Sequence, residues 1–383
     1  MKKNALILTA LAATTLLLIT GCQYQVNESG KTIVKSTSIK KKTKKPNKID
    51  RIIKHMTLDE KIGQLYFAHS TGNTQQMKPD VKKYHLGGTT LFAPDYQNKS
   101  KAQFDQEMRD YQKISNHGLL IATDQEGGTV SRIDTNPNIS QRKYPSPQEI
   151  YNTSGLDGIK KENREVAHIL HQNGINMNFA PVADVAKDKN SFIYDRTLGQ
   201  DYATTAKYIP VAVKSIQSQK VVSCLKHFPG YGDAADTHTG FAQISKPLSK
   251  YEKEDLLPFK AGIKAGADGI MISHIVIKDI DNKLPASLSP AVHKLLRRTL
   301  KYQGLMITDD LQMGAITQYA KLHHTNADVL ALKAGNDMLL GGNYQTGIPA
   351  IKRAIKHGSI SQKQINNSVR RILKLKEKLG ILK

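Results

Sequence analysis

Tryptophan is absent from this chain of 383 residues, and aromatic side chains make up only 6% of it. Platforms on which unstacked bases or an extended glycan could lie are therefore scarce. Cysteine occurs twice, as Cys22 and Cys224, so at most one disulfide could form and no thiol cluster exists to hold zinc or an iron–sulfur centre. Acid is the third shortage: 33 Asp and Glu face 56 Lys and Arg, a formal net charge of +23. Such an excess suits an anionic partner, whether nucleic acid, anionic lipid or an acidic polymer, and equally suits a plain solvated surface.

Part of that charge belongs to the first fifty residues. Lys2 and Lys3 precede a weakly polar to apolar stretch from Ala5 to Thr20, which ends Leu18-Ile19-Thr20-Gly21-Cys22. A basic start, a short apolar core and small residues before the break describe a bacterial secretory signal peptide over residues 1–21. The stretch falls short of the ~20 residues of a membrane-spanning helix. Its ending resembles the lipobox of bacterial lipoproteins, which implies lipidation of Cys22; an uncleaved span with an incidental cysteine is the competing reading. Residues 22–50 are polar and rich in lysine, including Lys40-Lys41-Lys42-Thr43-Lys44-Lys45, and lack apolar periodicity. They are expected to form a disordered tether. It either leans on anionic headgroups, at ~1 kcal/mol per lysine near the surface, or serves as a spacer.

Past Ile52, helical and strand-like segments alternate. The stretch Met56–Leu65 reads as a helix start, with Thr57 as N-cap and Glu60 three residues on. Short apolar runs recur at 64–68, 88–92, 119–123, 175–181, 221–226, 269–274, 304–308 and 337–340, separated by amphipathic stretches such as 161–172 and 202–219. Eight buried strands with crossovers predict an α/β fold, a single (β/α)8 TIM-type barrel over residues 51–383. The helical segment 361–379 closes it, and no Pro/Gly-rich linker to a second domain follows. Cys224, inside an apolar run, is expected to be a buried core thiol.

Working residues of such barrels sit where the strands run out. Here those ends read Asp124-Gln125-Glu126-Gly127-Gly128, Pro181-Val182-Ala183-Asp184, Lys226-His227-Phe228-Pro229-Gly230, Ser273-His274 and Asp309-Asp310. Asp309, directly after an apolar strand, should point into the barrel mouth. Asp310 should point elsewhere, because strand side chains alternate, and suits the N-cap of the next helix. The Gly-rich loop after the fifth strand ends Asp236-Thr237-His238, where an aspartate can fix the tautomer and raise the basicity of an imidazole. A carboxylate and a proton-donating group at one rim are what glycosidic bond cleavage requires. His274 could line the pocket or be a satisfied core histidine.

Lys226–Gly230 with Asp236-Thr237-His238, Asp124–Gly128, Asp195-Arg196-Thr197-Leu198-Gly199 and Thr308-Asp309-Asp310-Leu311 resemble glycoside hydrolase family 3, specifically its β-N-acetylglucosaminidase branch. The resemblance runs from about Ile52 to the C-terminus. It implies Asp309 as nucleophile, His238 as general acid/base with Asp236 as dyad partner, and Asp124, Arg132, Arg196, Lys226 and His227 as hydrogen-bond partners of the sugar hydroxyls. For Arg132 and Arg196 a rim ion pair is the alternative. It further implies no metal or cofactor, a GlcNAc-containing glycan or muropeptide as substrate, and no nucleic-acid partner; with the lipobox, the expected location is the extracellular face of the cell membrane, held by a lipid anchor. Two departures stand out: Tyr231 occupies a position where the family often has histidine, and the loop to His238 is about one residue short. A phosphorylase, and a catalytically silent lipoprotein that binds wall polymer, remain the alternatives.

Overall fold

The computed structural model describes residues 24–26, 32–34, 47–70, 72 and 74–383. The signal-peptide stretch and Cys22 lie outside the described residues, as does most of the lysine-rich segment. The described residues fall into two units, one before Asn47 and one from Asn47 to Lys383. In the first, Tyr24–Val26 and the β-branched Thr32–Val34 pair antiparallel, a short ladder inside the stretch read as tether. The second begins before Arg51. The Asn47 side chain accepts from the Asp50 N–H at 2.8 Å and starts helix Lys48–His55, which buries Ile49 and Ile53. Asp50 also receives Arg370 at 2.8 Å. Residues 47–50 therefore belong to the folded body, because the apolar i, i+4 pair outweighs the local charge on which the boundary at 50 rested.

Eight parallel strands follow: β1 (Tyr66–His69), β2 (Gly88–Leu91), β3 (Leu120–Thr123), β4 (Met177–Asn178), β5 (Val222–Phe228), β6 (Gly269–Ile272), β7 (Leu305–Thr308) and β8 (Leu339–Leu340). From β1 to β7 each pairs with its sequence neighbours, and β8 pairs with β1. The ring closes through a parallel bridge between Ile307 and Met338, where the Thr308 N–H donates to the Met338 carbonyl at 3.1 Å. The fold is the TIM-type barrel. β4 is shorter than its apolar run suggests, because two asparagine side chains replace ladder bonds at its ends. Asn176 Oδ1 accepts from the Ile121 N–H (2.9 Å), and Asn178 Oδ1 accepts from the Gln125 N–H (3.0 Å).

Helices cover the outside. Thr57 and Glu60 form the expected capping box at the start of helix Leu58–Gly63. Helix Tyr202–Gln217, capped by Asp201, turns Thr205, Tyr208, Ile209, Ala212, Val213 and Ile216 inward, the spacing of one helical face. Helix Gln362–Lys378, capped by Ser361, packs on the barrel with a mainly apolar face that includes one lysine. Lys376 is fully buried, and its Nζ donates to Gln64 Oε1 and to the Gly118 carbonyl, each at 2.7 Å.

With neutral acceptors only, burial pulls the Lys376 ammonium down to about 7. The unfolded chain, with an ordinary lysine, holds more protons between pH 7 and about 10.4, so folding stability should rise with pH across that window. Denaturant titrations at pH 7 and pH 10 check this: Lys376→Met should flatten the rise. A rise of the same size in the variant contradicts the assignment.

Candidate active site

The C-terminal ends of β3, β5, β6 and β7 surround a cavity of about 330 Å³. Its lining includes Asp124, Arg132, Arg196, Lys226, His227, His238 and Asp309. Asp236 contacts the cavity through His238. The nine-residue span from Gly230 to His238 therefore brings its imidazole to the same opening as the carboxylate that leaves β7.

The floor is a charge cluster. Lys226, at the end of β5, is buried, with Nζ 2.6 Å from Asp124 Oδ1 and 2.5 Å from Glu126 Oε1. Arg196, in the turn Tyr194–Arg196, grips Glu126 with two parallel bonds of 2.9 Å. Two cations thus meet two carboxylates. Burial acts to raise the Glu126 carboxyl, but Arg196 and Lys226 outweigh it and hold the group down to about 2. Burial likewise disfavours charge on Lys226, but Asp124 and Glu126 outweigh it, so the ammonium persists. Arg196 thus has the ion pair, while Arg132 makes none among the described residues. Its Nε is buried without a partner, in a wall of the cavity.

Asp309 is held from both sides. Its N–H donates to the Ile272 carbonyl of β6 at 2.8 Å, and its Oδ1 accepts from the Asp310 N–H at 2.9 Å. Burial alone would raise its carboxyl; His227, His274, the Asp310 N–H and Lys226 together lower it, so the group is an anion at neutral pH. Asp310 does not cap the following helix. Its Oδ1 accepts from the Gln312 N–H (2.9 Å) and its Oδ2 lies 2.9 Å from His69 Nε2, while helix Gly314–Leu322 begins at Met313 with no side-chain cap. The carboxylate turns toward β1 because a histidine there offers a partner that the helix start would have to share with water. His274 is a satisfied core histidine. Its Nε2 donates to the Asp310 carbonyl and its Nδ1 accepts from Ser287 Oγ, both at 2.8 Å, and it braces the chain just after Asp309 from below.

His227 is oriented by Asp184, whose buried carboxylate accepts from His227 Nδ1 (2.7 Å), the His227 N–H (3.0 Å) and the Tyr231 N–H (2.7 Å). Because a carboxylate only accepts, Nδ1 carries the proton and Nε2, at the cavity, accepts from Arg196 Nη2 at 3.4 Å. Sequence reasoning assigned no role to Asp184, Glu126 or His69. All three lie at strand ends, and only their partners reveal what they do.

The loop that carries His238 is closed against the barrel. His238 Nδ1 donates to Asp236 Oδ1 at 2.6 Å, which leaves Nε2 for a ligand. The Thr237 and His238 carbonyls accept from the N–H groups of Ala315 (3.1 Å) and Gly314 (3.0 Å), at the start of the helix that follows β7. Tyr231 pins the loop from inside: its hydroxyl accepts from the Thr237 N–H (2.9 Å), lies 3.0 Å from Thr237 Oγ1 and donates to the Ala235 carbonyl (3.1 Å). A phenol reaches the loop's backbone where an imidazole would be too short. Phe192 stands beside His238, ring centroids 5.6 Å apart, with its face partly open at the mouth.

The model of the glycosyl hydrolase family 3 N-terminal domain matches residues 57–375. The chain belongs to glycoside hydrolase family 3. β-Hexosaminidase A of Pseudoalteromonas piscicida is 33% identical over 334 residues, which span 78% of this chain and 54% of that protein. Of the solved family 3 structures, a β-N-acetylglucosaminidase from Paenibacillus sp. FPU-7 superposes with a TM-score of 0.79 at 29% identity, covering 85% of this chain and 63% of that one. The LpqI protein of Mycobacterium tuberculosis, a β-hexosaminidase, superposes at 0.77 with 26% identity and covers 85% of this chain and 95% of its own. The chain therefore spans little more than half of the Pseudoalteromonas relative and 77% of the mycobacterial one, of whose solved chain it covers 95%.

Proposed function

We propose that the protein is a retaining exo-β-N-acetylglucosaminidase that removes terminal, non-reducing GlcNAc, with peptidoglycan fragments as its source. One observation carries this: an ionised aspartate and an aspartate-backed imidazole line the same 330 Å³ cavity, whose floor is set with donors and acceptors for hydroxyls. Asp309 attacks the anomeric carbon while the proton on His238 Nε2 passes to the leaving oxygen. A glycosyl ester forms on Asp309. His238, now neutral at Nε2, takes a proton from water, which attacks the same carbon and frees the carboxylate. Asp124 accepts from sugar hydroxyls, whereas Arg132, Arg196 and Lys226 donate to them; His227 holds its place through Asp184. The mycobacterial and Pseudoalteromonas relatives bear hexosaminidase names, which supports the choice of sugar. The signal sequence and Cys22 add the expectation of export and a lipid anchor on the outer face of the membrane, with residues 47–383 as the catalytic part.

Mass spectrometry of purified muropeptides after incubation tests the reading. Loss of one GlcNAc per chain end is expected. Release of a sugar 1-phosphate in phosphate buffer would overturn hydrolysis, because a donor without negative charge tolerates phosphate as the attacking group. Failure to cleave an aryl N-acetyl-β-glucosaminide would return the silent binder.

Closure of the loop makes a separate prediction. A Cβ on Gly314 would stand 2.6 Å from the His238 carbonyl and 3.0 Å from the Thr239 carbon, both backbone. Gly314→Val should therefore push His238 out of place and lower kcat/KM on a disaccharide by about 10- to 100-fold. An activated aryl glycoside, which needs no donated proton, should be spared in the same assay. Parallel losses on both would mean that Gly314 serves Asp309 instead.

A further inference from the structure

Part of the basic excess collects at the end of the barrel opposite the cavity. Of the 56 Lys and Arg, nine precede Asn47, as does one of the 33 acids, so the folded body retains 47 against 32. Within it, residues 282–308 and residues 338–376 contain no Asp or Glu at all. The fold brings these two stretches together at the N-terminal ends of β6, β7 and β8. There they wall two adjoining clefts of about 600 Å³ each, which share Asn367 and Arg371.

Each cleft has a single carboxylate, and both are taken. Asp337 receives Arg297 at 2.5 Å and Arg371 at 2.9 Å; Asp268 receives Lys378 at 2.6 Å. Arg370 pairs with Asp50, and five further cations, Lys294, Arg298, Lys333, Lys363 and Lys374, complete the basic lining. All five are exposed and make no hydrogen bond or ion pair among the described residues. Like charges gathered in a concavity repel more than on a convex surface, since field lines focus there. An arrangement with its few acids already neutralised is suited to a counter-charge from outside.

We propose that this face binds a linear polyanion that carries phosphate groups along its chain. Concave, continuous clefts fit a thread better than a flat bilayer. Neither lining contains Phe, Tyr or Trp, so a single-stranded nucleic acid would find no surface for its bases. A polymer with a plain backbone, held by point charges, needs none. Because the clefts open at the barrel bottom, the bound polymer leaves the catalytic mouth clear, and the proposal stands apart from the reading of that site.

The test uses the full-length protein and a medium-chain inorganic polyphosphate, with binding followed by calorimetry over a salt series. Affinity should fall linearly on a log–log plot as salt rises. The triple variant Lys294→Glu/Arg298→Glu/Lys374→Glu should bind at least tenfold more weakly, with unchanged melting and unchanged aryl-glycoside turnover. Lys160→Glu/Lys161→Glu/Lys207→Glu has the same change in net charge on exposed positions of helices Pro147–Gln172 and Tyr202–Gln217, outside the linings of both clefts, and should lose much less. Equal losses in the two triples would overturn the proposal in favour of net charge. No binding of polyphosphate, or binding that the cleft triple leaves intact, would overturn it as well. If the cleft triple instead abolishes adhesion to phosphatidylglycerol vesicles while polyphosphate binding is unaffected, the face is a membrane surface and the proposal fails.

Discussion

Asp309→Ala is expected to lower turnover of an aryl N-acetyl-β-glucosaminide by about 10⁴-fold or more while the protein stays folded. The magnitude follows from removing the atom that forms the covalent bond, an effect that neighbouring groups cannot replace. Stability should not suffer. The carboxylate is fully buried, its hydrogen bond from the Asp310 N–H is local, and the remaining cations pair with Asp124 and Glu126. Thermal melting should therefore match the parent within a few degrees. The vacated space can admit a small anion, so azide should restore turnover and release a glycosyl azide of inverted configuration. Residual activity within tenfold of the parent, or azide product of retained configuration, would remove Asp309 from the nucleophile's place.

His238→Ala separates the two halves of the reaction. On a disaccharide, whose leaving group is a poor one, kcat/KM should drop by about 10²- to 10⁴-fold, the range for loss of a general acid. On a nitrophenyl glycoside kcat/KM should hardly change, because the phenolate departs unaided. Its kcat should nevertheless fall, since water attacking the glycosyl ester has lost its base. Asp236→Asn should follow the same pattern with smaller losses: it leaves the imidazole in place but weakens the 2.6 Å bond that sets its tautomer. Equal losses in kcat/KM on both substrates would contradict the donor assignment.

Some of this was legible before any fold was in hand. The eight apolar runs, the capping box at Thr57 and Glu60, and the carboxylate that directly follows the β7 run are local features. Their signals come from periodicity and neighbours in the chain, and local structure obeys them. Where expectation and fold part company, a distant partner decides. The end of β4 is shortened by asparagines that bond to β3 and the residues after it. Asp310 turns to His69, 241 positions earlier, instead of capping its own helix. Residues 47–50 look like tether until Asp50 meets Arg370.

The sequence by itself determined the element order, the barrel and the residue types at its rim, because a buried strand must be apolar and its end must be marked by a change to polar groups. Only the tertiary structure decided which ionisable groups pair. Glu126 with Arg196 and Lys226, Asp184 with His227, and the loop carbonyls with Gly314 and Ala315 are contacts between segments dozens of residues apart. The same holds for the basic clefts, whose walls join two acid-free stretches to the residues around Asp268 and Asp337 on closure of the barrel. Charge acts through space, and the distances that set its strength exist only once the ring has closed.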